Sequence, residues 1–190
     1  MNGAVVPRPI ALVSTIGSDG PNVSPFSYFN VVSVDPCVVM FSIGVAVGPR
    51  LGLVKDTLQN LREVPEFVVH IVDAPIAEKM NASSAEFARG QDEMSIVGFN
   101  TAPSVVVKPP RIIDAPVQFE CKVHEIIVLG RAPYHMVLGE VVQMHFRKGI
   151  VNERHHVDPS LHQPIARLGG PGLYMRSTDQ FVMAPPVPPR

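Results

Sequence analysis

The sequence holds only two cysteines, Cys37 and Cys121, far apart and outside any CxxC spacing. Their scarcity excludes a disulfide framework and a thiolate metal centre, and it points to a reducing, cytoplasmic setting. Tryptophan is absent, and charge is scarce too: Asp, Glu, Lys and Arg make up 17% of residues. Sixteen basic residues against 17 acidic ones leave a formal net charge of −1. That balance offers no general attraction for nucleic acid or an acidic membrane. No apolar run approaches the ~18 residues of a membrane span, and Pro7, Arg8 and Pro9 interrupt the only N-terminal run that resembles a secretory leader. A soluble protein with no nucleic-acid or membrane partner is expected.

What is present is an apolar share of 46% over 190 residues, enough to bury a sizeable core. The length suits one domain over residues 1–190, with a C-terminal extension from about residue 150. The 20 prolines are scattered between apolar runs and disfavour a helical bundle. Residues 11–16 are apolar and β-branched, and the Gly17-Ser18-Asp19-Gly20 turn after them predicts a hairpin. Its return strand, over residues 22–26, carries Pro25, which belongs at an edge or bulge. Residues 37–43 are apolar nearly throughout and read as a central strand.

A short amphipathic helix follows, with Asp56 as N-cap, Leu58 and Leu61 on one face and Val64-Pro65 as the stop. Residues 67–72 read as a strand, and residues 75–80 as a helix with proline in its first turn. Residues 84–115 lack periodicity and form an excursion. Residues 117–124 alternate, sending Val117, Phe119, Cys121 and Val123 inward and their polar neighbours to water. That strand continues to Leu129 and pairs with another running from Met136 to Arg147. Strands outnumber helices, so a closed or partly closed antiparallel sheet with peripheral helices is expected.

Residues 41–57, FSIGVAVGPRLGLVKDT, join a buried strand to a helix start and gather Arg50 and Lys55 among glycines. A helix N-terminus presents unpaired N–H groups and partial positive charge; Lys55 and Thr57 add a cation and a hydroxyl, which together suit a phosphate. The plainer alternative is that Asp56 caps the helix while Lys55 and Arg50 lie in solvent. The spacing matches neither GxxxxGK[ST] nor GxGxxG, which removes the P-loop and Rossmann classes. His155, His156 and His162 read as surface histidines of a solvated loop, and no metal site is expected. No GxSxG elbow supports a hydrolase. Phe26, Tyr28 and Phe29 either wall a planar ligand or fill the core.

PRPIALVST (7–15), NVSPFSYFN (22–30), KDTLQNL (55–61), EFVVHIVD (66–73), LGEVV (138–142) and ARLGG (166–170), in this order and spacing, resemble the flavin reductase-like, FMN-binding split-barrel family. The likeness is to the branch of flavoredoxin-like proteins and reductase components of two-component monooxygenases. It implies a mostly β fold with peripheral helices, a six-stranded antiparallel split β-barrel, as a homodimer. It implies FMN as cofactor, NAD(P)H as hydride donor and an oxygenase as possible partner; the alternative is a non-enzymatic FMN carrier or sensor. By the same resemblance Ser27, Tyr28, Phe29 and Asn30 line the flavin. Ser42, Ile43 and Gly44 with Lys55, Asp56 and Thr57 take its ribityl and phosphate end. Arg8, Thr15, Arg50 and Arg167 are secondary cofactor candidates, and Tyr174 belongs to the same C-terminal motif as Arg167. No acid–base residue is required, because the flavin carries the chemistry. His135 is the one catalytic candidate, set against a bland role as an exposed strand-end histidine. Cys37 and His70 depart from the family pattern, which commonly has proline and asparagine there.

Overall fold

The computed structural model describes residues 1–46, 51–158 and 160–186. The chain opens with β1 (Arg8–Pro9), β2 (Ala11–Gly17), β3 (Gly20–Phe26), β4 (Phe29–Val34) and β5 (Cys37–Ile43). There follow α1 (Asp56–Glu63), β6 (Glu66–Ile71), a 3-10 turn (Ala74–Ile76), α2 (Ala77–Ala82), α3 (Glu93–Val97), β7 (Thr101–Ala102) and β8 (Arg111–Ile112). The long pair β9 (Val117–Leu129) and β10 (Tyr134–Phe146) comes next, then β11 (Ile165–Arg167) and β12 (Tyr174–Arg176). Seven strands form one antiparallel sheet in the order β3-β2-β6-β9-β10-β5-β4. The sheet does not close, and it has one strand more than the six expected. The extra strand is β4, an edge strand whose residues after Phe29 are mostly exposed.

The predicted edge and central positions of β3 and β5 hold. Pro25 sits on the edge strand, where its missing N–H leaves no ladder bond unmade. β2 is buried on both faces. Ala11 and Val13 join a core with Phe26, Phe41, Leu58, Leu61 and Phe67, while Leu12 joins a second core with Ile76, Met80, Met94 and Ile112. Period-two alternation thus feeds two cores from one strand. In the first core the Phe41 ring lies 5.0 Å from Phe26 and 5.3 Å from Phe67, centroid to centroid. These are distances at which aromatic pairs attract beyond their area burial.

The excursion between β6 and β9 corrects one expectation. Gln118 and Glu120 of β9 do not face water: they are 5% and 0% exposed, because residues 103–111 fold over that face of the strand. Glu120 accepts the backbone N–H groups of Val105, Val106 and Val107 at 2.8, 2.6 and 3.1 Å, and His145 Nε2 lies 2.7 Å away. Burial alone would raise this carboxyl; the backbone hydrogen bonds and His145 outweigh it and hold it below its usual range. Gln118 accepts from Arg111 at 3.0 Å. The same excursion contains α3, capped by Asp92 and ended by Gly98 at φ 81°.

The segment after residue 150 returns to the body: β11 pairs with both β1 and β12. Its histidines divide. His155 and His156 are exposed, but His162 is half-buried, and its Nδ1 has no hydrogen-bond partner among the described residues. This corrects the surface reading of His162. It packs near Asp73, whose carboxylate accepts from Arg147 at 3.0 Å. Among the described residues no three His, Cys, Asp or Glu side chains are grouped to hold a metal, and no helix is long and apolar enough to cross a membrane.

Candidate functional site: a cationic cleft with tyrosine walls

A cleft of about 510 Å³ opens where the end of β3, the end of β5, the N-terminus of α1 and the β11 arm meet. Its lining includes Arg8, Ser27, Tyr28, Ser42, Gly44, Lys55, Tyr134 and Arg167, and no acidic residue among the described ones. The volume lies within the ~300 to 1,000 Å³ typical of cofactor sites. Three cations facing one acid-free cavity create a positive potential there, although the chain as a whole carries −1.

Each wall has a local cause. The Ser42 N–H donates to the Tyr28 carbonyl at 2.9 Å, which ties the Ser27-Tyr28 turn to β5. The Tyr28 hydroxyl donates to Asn2 Oδ1 at 2.6 Å, so the N-terminal segment orients that ring. The Tyr28 and Tyr134 rings stand 6.0 Å apart. Tyr134 reaches the cleft because position 44 is glycine: a Cβ there would lie 2.9 Å from Tyr134 Cε1. Arg8, 8% exposed, stitches the rim together, donating to the carbonyls of Asn2, Val5 and Leu168 and, at 3.5 Å, to Ser27 Oγ. Every one of these is a charge-assisted contact, so this arginine orders three chain segments at once.

Lys55 is the N-cap of α1 and Asp56 its first helical residue, which shifts the expected cap by one position. An acid in the first turn still complements the helix dipole. Lys55 faces the cleft, with Nζ 6.0 Å from the Phe26 centroid. Asp56 and Thr57 are absent from the cleft lining and border a small polar hollow of about 50 Å³, which Lys55 also borders together with Glu86 and Glu93. Asp56 pairs with Arg89 at 3.3 Å, and the Thr57 hydroxyl donates to Asn22 Oδ1 at 3.0 Å. The KDT motif is therefore split, with only its lysine side chain lining the cleft.

Of the residues expected at the site, Arg8, Ser27, Tyr28, Ser42, Gly44, Lys55 and Arg167 come together in the cleft. Others do not. Phe29 and Ile43 point into the first core, because along β4 and β5 every second side chain faces inward. Asn30 is exposed outside the cleft, its side chain accepting the N–H of Val31 at 2.8 Å. Thr15 is fully buried and accepts from Asn60 at 3.2 Å. Arg50 lies outside the described residues. His135 is half-buried on β10 and is not part of the cleft lining; burial, then the charge of Arg62, lowers its pKa. His70 is also remote, bridging β2 and β8 in the second core.

Sequence reasoning missed Asn2, Tyr134, Leu168 and Gly170. Gly170 lay within a quoted motif, but nothing local marks Asn2 or Tyr134. The donors, the absence of acids and the glycine-relieved aromatic wall suit a planar ligand that carries an anionic tail, as FMN does. Lys55 could hold such an anionic tail, and Ser27 and Ser42 could bond a polar edge of the ring.

Known proteins share this architecture. The flavin reductase like domain matches residues 1–179 of the chain. A protein of Deinococcus radiodurans is 36% identical over 188 residues, 95% of this chain and 81% of its own. The 2-nitrobenzoate 2-nitroreductase NbaA of Pseudomonas fluorescens superimposes with a TM-score of 0.86 at 40% identity, covering 97% of this chain and 88% of its own. Nitrilotriacetate monooxygenase component B from Bacillus cereus gives a TM-score of 0.89 at 29% identity, covering 96% and 90%. The open antiparallel sheet is the split barrel found in flavin reductases, and the chain belongs to the flavin reductase-like family.

Proposed function

We propose that the protein is an FMN-binding NAD(P)H:flavin oxidoreductase that passes reducing equivalents from a nicotinamide to an acceptor, such as a partner oxygenase. The observation that carries this reading is the acid-free cleft, where Arg8, Lys55 and Arg167 surround walls made by Tyr28 and Tyr134. The flavin supplies the redox chemistry when bound. The chain's own residues then bind and orient: Lys55 anchors the phosphate, Ser27 and Ser42 fix the ring edge, and the two tyrosines hold the ring plane. No side chain of the cleft is required as an acid or base. Purified protein should bind one FMN per chain. Anaerobic mixing with NADH or NADPH should then bleach the flavin absorption within seconds to minutes. If dithionite bleaches it and neither nucleotide does, the chain is an FMN carrier or sensor instead.

The 40% identity to a 2-nitrobenzoate 2-nitroreductase favours a second reading, reduction of a nitroaromatic acid by the same flavin site. Turnover of 2-nitrobenzoate under NADPH or NADH separates it from supply of reduced flavin to an oxygenase. In either case we propose a homodimer in the cytoplasm, with Cys37 and Cys121 unpaired. The edge strand β4 exposes Val31, Val32 and, at 81%, Val34. An apolar edge of this kind invites pairing unless a second copy covers it. Light scattering that returns a monomer mass at micromolar concentration would reject the dimer.

A further inference from the structure

Strand β11 carries a charge pattern that the flavin cleft accounts for only in part. Arg167 stands directly opposite Arg8 on β1 and directly opposite Tyr174 on β12. Like charges facing each other across a ladder repel. Neither guanidinium has a carboxylate partner among the described residues. Arg8 is compensated by the carbonyls it binds and is nearly buried. Arg167 is half-buried and differently placed. Its Nη atoms donate to the carbonyls of Leu173 and Gly170 at 3.4 and 3.1 Å, and its guanidinium lies 4.7 Å from the centroid of the Tyr174 ring. Those contacts fix its plane yet engage two of the five N–H groups an arginine carries.

Arg167 also lines a second hollow, of about 310 Å³, between the end of β3, α2 and the β11–β12 arm. Ile10, Phe26 and Met80 give it an apolar floor, Tyr174 a flat wall, and no acidic residue lines it among the described ones. Pro25, Phe26, Ser27 and Arg167 are common to this hollow and the cleft, so a ligand here lies against whatever the cleft holds. Its volume is at the low end of the ~300 to 1,000 Å³ range of ligand sites, which suits a compact molecule and not a dinucleotide.

We propose that this hollow is the acceptor subsite and that it takes a compact organic acid, with a flat or apolar body on Phe26, Met80 and Tyr174 and its carboxylate on Arg167. The inference rests on the oxidoreductase reading above. In the overall reaction NAD(P)H gives up a hydride and becomes NAD(P)⁺. A reducible group of the acid gains those two electrons with the hydride's proton and one proton from solvent. Arg167 takes no part in the transfer; it is the specificity residue, chosen by geometry because a planar guanidinium matches a carboxylate bidentately.

Benzoate is a suitable probe, with benzamide as its uncharged counterpart. Titrated into the FMN-loaded protein, benzoate should perturb the flavin absorption and compete with the acceptor. Arg167→Met should weaken benzoate by about tenfold or more beyond whatever change it makes in benzamide and FMN affinity, and Arg167→Lys should recover part of that difference. Circular dichroism checks that both variants fold. The proposal is overturned if wild-type protein shows no benzoate response, if Arg167→Met binds benzoate unchanged, or if FMN affinity falls by as much as benzoate affinity, which would make Arg167 a cofactor residue alone. It is also overturned if the variant's defect appears in KM for the nicotinamide instead. A protein that takes up no FMN at all fails earlier, at the oxidoreductase reading itself.

Discussion

His70 should make the protein acid-sensitive well above the carboxylate range. The ring is fully buried between β2 and β8, with Nδ1 2.8 Å from the Leu12 carbonyl and Nε2 2.8 Å from the Ile112 N–H. A carbonyl only accepts and an N–H only donates, so Nδ1 carries the proton and Nε2 is a lone-pair acceptor. Protonation would set an Nε2–H against the Ile112 N–H. Burial above all, with the charge of Arg111, lowers the pKa to about 4 from 6.5, against the opposing pull of the Leu12 carbonyl. A base depressed in the folded state leaves the unfolded chain holding more protons between those values. Stability is therefore intact above about 6.5, falls as pH drops through the window, and is fully reduced below about 4. The interval corresponds to about 3 kcal/mol in the limit, and about 2 kcal/mol by pH 5. Urea unfolding of the flavin-free protein at pH 7, 6 and 5 reads this directly. His70→Asn can still donate and accept but does not titrate; it will be less stable at pH 7 and should lose about 2 kcal/mol less than wild type between pH 7 and 5. Equal losses in the two proteins would refute the argument, as would a His70 ring resonance that titrates near 6.5 in the folded state.

Lys55→Ala should weaken FMN by roughly tenfold or more relative to riboflavin, since a charge-assisted contact contributes ~1.5 to 3 kcal/mol; equal weakening in a fluorescence titration would place the lysine away from the phosphate. Gly139→Ala puts a methyl into the Phe67 ring at the centre of the first core. Overpacking there should cost about 1 to 3 kcal/mol in denaturant unfolding, and an unchanged midpoint would mean the ring has room to move. Glu120→Gln keeps the shape of the buried side chain but removes its charge, so the loop bound through Val105, Val106 and Val107 should loosen. About 2 kcal/mol of stability and protection of those three amides from hydrogen exchange should go together; loss of neither would assign the loop's order to its prolines.

The strands of this fold were legible where burial is two-sided. Residues 11–16, 37–43 and 67–72 sit inside the sheet and meet apolar neighbours on both faces, so their sequences are almost unbroken apolar blocks. β4, Phe29–Val34, escaped although Phe29 and its three valines are good strand formers: it lies at the edge with its valines exposed, and it follows β3 after only two residues. Glu120 was misread for a different reason. Alternation assigns polar residues to water only if water lies on that face, and the layer that displaces it is built from residues 103–111, which have no periodicity of their own. The site divides along the same line. Ser27 and Lys55 sit in local motifs, but Phe29 and Ile43 share those motifs while pointing the opposite way, because a motif fixes the backbone and strand parity decides which side chains face the cavity. Tyr134 enters only because β10 runs beside β5 and brings its ring onto the glycine at 44, a relation between positions that no window along the chain contains. Net charge hides the site as well. The acids that balance Arg8, Lys55 and Arg167 in the total include Asp73, held by Arg147, and Glu120, held by its own loop. Neutrality over the whole sequence and a strongly positive cleft are therefore compatible, because screening by a carboxylate depends on where it is buried and not on how many are counted.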